Sequence, residues 1–309
     1  MNMLSYMSRP PDPELVGDNR RKDMWHRRLD GQDFLMEPWL EHQHRDAYWQ
    51  HGSVCEDYSA IQAAVFTVGG WADGYRNTMA HLVANLGAPV KGLAGPWNHK
   101  YPHYAGPKPA IGFLQESKRW WDLYLKGMES EAKEWPAYRA YIMDSVAPKR
   151  WYDERPGRWV VEQSWPSPSI QPLTLHVTDS GLGAEPGKLS GQVFSDQDVG
   201  IEAPEYFPFA FADELAGDQT QDDAKSLCFD SAPLDETLDL LGAPVLRLTL
   251  ASDTPTANLV VRLCDLRPDG SSAFIGLGVL NLCHARSRAH PHALVPGPAF
   301  VIVLDLGPI

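Results

Sequence analysis

Apolar positions along the chain change their spacing twice, and each change marks a different architecture. Over residues 24–49 they recur three and four positions apart, in Met24-Trp25, Leu29, Phe34-Leu35-Met36, Trp39-Leu40 and Tyr48-Trp49. That spacing predicts helices packed through one face. Pro10-Pro11-Asp12-Pro13 makes a stiff start, and Asp12 or Asp18 is expected to cap the helix that follows. Between Gln62 and Gly95 the pattern becomes two short apolar runs, Ala63–Val68 and Pro89–Ala94, each ending in glycine and separated by a helix-like segment. Such runs read as buried parallel strands joined by a helix, a βαβ unit. Gly112–Lys126 predicts a further helix with Phe113, Leu114, Trp120, Trp121, Tyr124 and Leu125 as its apolar stripe, stopped at Lys126-Gly127.

From Ala137 onward, short alternating runs stand between Gly, Pro, Asp and Ser: Tyr138–Met143, Arg158–Gln163, Leu173–Thr178, Ala243–Ala251, Asn258–Asp265, Ser272–Leu282 and Ala299–Leu306. With no helical period between them, they predict an all-β sandwich or jelly roll. Arg267-Pro268-Asp269-Gly270 is a β-turn signal. Leu182–Thr220 is a long Gly-, Pro- and acid-rich insert, expected to be a solvated loop.

In a parallel sheet the chemistry sits just beyond the carboxyl ends of the strands. Asp73, in Gly69-Gly70-Trp71-Ala72-Asp73-Gly74-Tyr75, and His99, in Gly95-Pro96-Trp97-Asn98-His99, fall at those two places. Acid before histidine is the chain order of the second half of an α/β-hydrolase triad.

The segments GGWADGY, GAPVKGLAGPWNHKYPH and AIGFLQESKRWWDLYLKG resemble the cocaine esterase-like and X-Pro dipeptidyl-peptidase family of α/β-hydrolases, whose catalytic acid lies in GGWxDGY and catalytic histidine in GPWxH. The resemblance runs from about Met3 to about Asp305, residues 229–234, 241–245 and 261–270 resemble the family's C-terminal jelly roll, and for the 182–220 insert it implies the alternative of substrate-facing loops. It implies an α/β plus all-β chain: a helical cap segment over 1–60, the C-terminal part of an α/β-hydrolase domain over 61–134, and a truncated jelly-roll-like β-sandwich over 135–309. Asp73 and His99 are then the catalytic candidates, with Trp71, Tyr75 and Trp97 as substrate-pocket candidates or as walls of the site.

The family's nucleophile is a serine in a G-x-S-x-G elbow ahead of the acid. The serines ahead of Asp73 are Ser5, Ser8, Ser53 and Ser59, and none has that flanking pattern. Ser53 in His51-Gly52-Ser53-Val54-Cys55 comes nearest, and it reads as a loop or helix-start serine. The expected function is therefore a fragment, or one half, of a divided serine hydrolase acting on ester or amide bonds, with negligible activity by itself. Open sheet edges are expected to make it associate when alone. The alternative is a noncatalytic ligand-binding jelly roll on a remnant hydrolase scaffold.

Composition narrows the partners. The 43% hydrophobic and 22% charged content suits a globular protein, and the net charge of −13 argues against a nucleic-acid surface. No apolar run approaches the roughly 20 residues of a membrane span, and the first residues lack a signal-peptide pattern. Cys55, Cys228, Cys264 and Cys283 are scattered, which suits a reducing, cytoplasmic compartment. His42-Gln43-His44 with His51, or His99 with His103, lack metal-ligand spacing, and Asp265 with Asp269 lacks a full calcium set. No metal or cofactor is expected. The expected partners are a small acyl ester or peptide substrate and a front half supplying the serine, with neither nucleic acid nor membrane.

Overall fold

Aspartate caps start two of the helices in the first part of the chain. The structure, a computed structural model, describes residues 8–209 and 213–309, so Ser5 lies outside the described residues. Two units separate: Met1–Gly52 with Arg288–His290, and Ser53–Ser287 with Pro291–Ile309. In the first unit, α1 (Pro13–Val16) starts where the Asp12 carboxylate accepts the Glu14 N–H at 2.9 Å, as expected of a cap. Asp18 does not cap; it opens α2 (Asp18–Asp30) directly after Gly17, whose φ of 76° lets the chain turn between the two helices. Trp25 pins α2 by donating its indole N–H to the Ser8 carbonyl at 2.8 Å. After α3 (Met36–Glu41), α4 (Ala47–His51) is capped by Asp46, which accepts the Tyr48 N–H at 3.0 Å. Asp46 also meets His42 Nδ1 at 2.6 Å, and the His42 ring stacks on Tyr48.

The second unit begins with the βαβ element. β1 (Val65–Gly70) runs parallel to β2 (Val90–Gly95), in register from Val65 with Val90 to Gly70 with Gly95, and α5 (Arg76–Asn85) crosses between them. After α6 (Phe113–Lys126), β3 (Tyr138–Met143) pairs in parallel with β2, and β4 (Gly157–Glu162) pairs antiparallel with β3. The order β1-β2-β3-β4 leaves β1 at an edge. This sheet crosses the boundary expected at 134/135. The residues of β3 and β4 alternate like sandwich strands, yet Tyr138 and Ala140 join Trp71, Met79, Val83 and Ala94 in one core. On the other face, Leu93, Trp97 and Ala105 pack with Phe66, Val68 and Ile111. The expected stripe of α6 is divided: Trp120 is buried against Phe66, whereas Leu114, Trp121 and Leu125 are exposed.

Two-stranded sheets with a leucine-rich core follow. After a short hairpin of β5 (His176–Thr178) and β6 (Gly181–Gly183) and the single turn α7 (Thr220–Asp223), β7 (Val245–Leu250) pairs antiparallel with β10 (Phe300–Asp305). β8 (Asn258–Leu266) pairs antiparallel with β9 (Ser272–Asn281) across the expected turn, where Gly270 takes φ 84°. Leu246, Leu248 and Leu250 of β7, with Leu259, Val261 and Leu263 of β8, close on Ile302 and Leu304. Alternate residues Val245, Val301 and Val303 face solvent, as the period of two requires.

Candidate active site

The loops that leave β1 and β2 are tied to each other by main-chain hydrogen bonds. Trp71 donates its N–H to the Gly95 carbonyl at 2.9 Å, and Ala72 donates to the Trp97 carbonyl at 3.1 Å. The approach is so close that a Cβ on Gly70 would lie 1.8 Å from the Trp97 carbonyl oxygen, so only glycine fits there. Asp73 then turns the chain into α5: its N–H reaches the Gly70 carbonyl at 3.2 Å, and its Oδ1 accepts the Tyr75 N–H at 2.8 Å. Oδ2 meets His99 Nδ1 at 2.9 Å. Each carboxylate oxygen thus has its own partner, one main-chain and one imidazole. Asp73 is buried, whereas the His99 side chain is 39% exposed.

A carboxylate at Nδ1 favours the tautomer with the proton on that nitrogen, which leaves a lone pair on Nε2. Nε2 is hydrogen-bonded to no described residue. The arrangement can take a proton from a group placed at Nε2 while Asp73 stabilises the imidazolium that forms.

The three aromatic candidates divide. Trp71 and Trp97 are core residues, with their indole N–H groups committed to the Tyr141 carbonyl at 2.7 Å and the Pro109 carbonyl at 2.8 Å. Both lie beneath the strand ends with little of their surface exposed. Tyr75 is 61% exposed, with its ring 5.7 Å from that of His99.

Two residues at the site were not foreseen. Phe207 and Phe209 stand with ring centroids 4.2 Å and 5.6 Å from His99, and Pro208 between them accepts the His99 backbone N–H at 3.1 Å. Lys100 Nζ lies 5.2 Å over the Phe209 ring. Gly74 admits this loop, since a Cβ there would be 2.5 Å from the Phe207 ring. The end of the 182–220 insert therefore reaches the histidine, on the side of the two readings that the family's substrate-facing loops suggested. Its one signal is the aromatic run Tyr206-Phe207-Pro208-Phe209 amid glycines and acids.

Ser53 has none of the elbow's geometry. It follows the end of α4 rather than a strand, and it opens the short 3-10 turn Val54–Glu56 with an extended φ of −99° and ψ of 111°. Among the described residues, no three His, Cys, Asp or Glu side chains converge as a metal site, and no helix is long and apolar enough to cross a membrane. His103 packs by the Phe113 ring, and Asp269 accepts from Ser271 within its turn.

Known proteins carry the same pattern. Residues 131–309 match the family described as the X-Pro dipeptidyl-peptidase C-terminal non-catalytic domain, and residues 1–101 match X-Pro dipeptidyl-peptidase (S15 family). The cocaine esterase of Rhodococcus sp. (strain MB1 Bresler) is 20% identical over 302 residues, which cover 87% of this chain and 50% of that one. A CocE/NonD family hydrolase from Staphylococcus aureus superposes with a TM-score of 0.62 at 16% identity, covering 92% of this chain and 50% of the other. An aminopeptidase from a marine sediment Thaumarchaeota archaeon gives 0.63 at 20% identity, covering 88% and 49%. The chain thus spans about half the length of the relatives it matches. With a family match over more than half of its residues, the chain belongs to the cocaine esterase-like and X-Pro dipeptidyl-peptidase family of α/β-hydrolases.

Proposed function

We propose that residues 1–309 supply the acid and the base of a Ser-His-Asp site that hydrolyses ester or amide bonds, and that the nucleophilic serine comes from polypeptide outside these residues. The carrying observation is the 2.9 Å contact of Asp73 Oδ2 with His99 Nδ1, with Nε2 bonded to no described residue and so available to a hydroxyl. His99 Nε2 takes the serine proton as the oxygen attacks the substrate carbonyl, then delivers it to the departing alcohol or amine. Water repeats the step on the acyl-enzyme and releases the acid. The edge position of β1 supports the reading, because a parallel strand from the serine-bearing part has a free edge to pair with. Tyr75, Phe207 and Phe209 form apolar walls that suit a small acyl ester or peptide side chain. The leucine-cored ribbons correspond to the jelly roll of the family, with a structural role.

The test is to co-express residues 1–309 with a family front half bearing G-x-S-x-G and to follow hydrolysis of an activated ester. The chain alone is expected to turn over negligibly. The combination is expected to be active, to lose activity with His99→Ala, and to fall about 10³–10⁴-fold with Asp73→Asn. Turnover by the chain alone, or fluorophosphonate labelling of a serine within it, would refute the reading. A folded chain that stays inactive with every front half would favour ligand binding instead.

A further inference from the structure

The aromatic residues beside His99 touch the loops that carry Asp73 and His99 only at their tip, through the Pro208 carbonyl and the Phe207 and Phe209 rings. Their stretch, Gly200 to Phe209, is fixed at its base from α7 and the residue before it. Asp222 is buried, and its two carboxylate oxygens accept the Gly200 N–H at 2.8 Å and the Glu202 N–H at 3.2 Å. Gln219 is fully buried; its Nε2 donates to the Glu202 carbonyl at 2.6 Å and to the Gly217 carbonyl at 3.0 Å. Gly217 donates back to the Glu202 carbonyl at 3.0 Å, and Glu205 donates to the Glu214 carbonyl at 2.9 Å, so the outgoing and returning chains are joined at their base.

One side chain organises the acceptors of this clip. Arg262, in the middle of β8 and 11% exposed, donates to Gln219 Oε1 at 2.7 Å, Asp223 Oδ1 at 2.8 Å and Ser226 Oγ at 3.3 Å, and lies 3.8 Å from Asp222. A planar guanidinium can hold several acceptors in one geometry, which an ammonium cannot. A buried ionic cluster is seldom more stable than apolar packing of equal volume, so what it supplies is a defined arrangement. Beyond the clip the chain delivers Phe207 to the face of His99 and the Pro208 carbonyl to the His99 N–H.

We propose that Arg262 is a positioning residue for His99: acting through Gln219, Asp222 and Asp223, it fixes the stretch from Gly200 to Phe209 so that Phe207 and Pro208 hold the imidazole where Asp73 can orient it. The inference rests on the reading of His99 as the base. No hydrogen bond runs from Arg262 to the acid–histidine pair itself, and its influence is mechanical.

The test uses the full chain with isotope-labelled histidine and tryptophan and NMR, and it needs no serine. A phenyl ring at this distance displaces the His99 ring resonances, and Phe207→Ala is expected to abolish that displacement. Arg262→Met is expected to abolish it too, with the indole resonance of Trp120, buried in the sheet half of the unit, unmoved. Asp223→Asn, which removes one acceptor and keeps the shape, is expected to give a partial loss and decides the matter if Arg262→Met does not fold. The proposal is overturned if either clip variant leaves Trp120 and His99 both at their wild-type positions while Phe207→Ala moves His99. It is overturned equally if Phe207→Ala moves nothing. Because the readout is independent of turnover, failure of the complemented hydrolase would leave this result standing, and the reverse.

Discussion

The loops after β1 and β2 and the stretch from Gly200 to Phe209 meet at one imidazole, but they are held in different ways. The strand-end loops are neighbours through main-chain bonds, Trp71 to Gly95 and Ala72 to Trp97, that extend the parallel ladder by two residues. Side-chain identity hardly enters, apart from the demand for glycine at position 70. The Gly200–Phe209 stretch has no ladder to continue. It depends on Arg150, which donates to the Ile201 carbonyl at 3.1 Å, and on Gln219, Asp222 and Arg262, whose side chains lie far along the sequence from what they hold. The first region should tolerate most side-chain changes and fail on added backbone bulk. The second should fail on loss of single polar groups.

The largest effect expected from this contrast is at Gly70. A Cβ there meets a main-chain carbonyl that cannot move aside, so Gly70→Ala should cost about 4 kcal/mol or more in chemical denaturation, or prevent folding. Gly87→Ala in the same unit, where nothing lies within 4 Å of the added atom, should change stability by no more than about 0.5 kcal/mol. Equal responses at the two positions would erase the distinction drawn for the strand ends.

Next is the clip. Gln219→Leu keeps the volume but leaves the Gly217 carbonyl and one Arg262 N–H without their partner and the Glu202 carbonyl with the Gly217 N–H alone, and should cost about 3 kcal/mol. A neutral result would mean that apolar packing holds the stretch and the polar network does not. Trp71→Phe removes one buried indole hydrogen bond and some volume beneath the acid loop, for about 2 kcal/mol in the same assay. Since the ladder survives, the Asp73–His99 contact should persist in the histidine NMR spectrum.

The smallest effect is one of pH. Burial pushes the Asp218 carboxyl up, but hydrogen bonds from the Thr220 hydroxyl and the Ser272 and Thr220 backbone outweigh it and hold the group below its ordinary value. A depressed folded-state pKa contributes stability above the ordinary carboxylate range, and the contribution disappears as pH falls through the depressed value, below about pH 4. Melting curves of wild type and Asp218→Asn should therefore differ near neutrality and converge in acid. A gap that stays constant through the acid range would show that the carboxylate's charge is not what matters.

Strand identities were legible because they rest on local alternation and on turn residues close by: six of the seven runs read from Ala137 onward coincide with strands to within two residues at either end, and the seventh shrinks to β5. Asp73 and His99 were legible for a related reason, since each lies a few residues past its strand, inside a Gly- and Trp-marked segment. Alternation does not say which sheet a strand joins, so the pairing of β3 with β2 across the expected boundary emerged only from the fold. Likewise, a tryptophan looks the same in sequence whether its N–H is capped in the core, as in Trp71 and Trp97, or free to meet a ligand.

By itself, then, the sequence determined the elements, the acid and the histidine, because the forces that select them act over a few neighbouring residues. The tertiary structure alone decided what stands against the imidazole. Phe207 and Phe209 are brought there by hydrogen bonds from residues roughly ten to sixty positions away, and no local periodicity records a contact of that span.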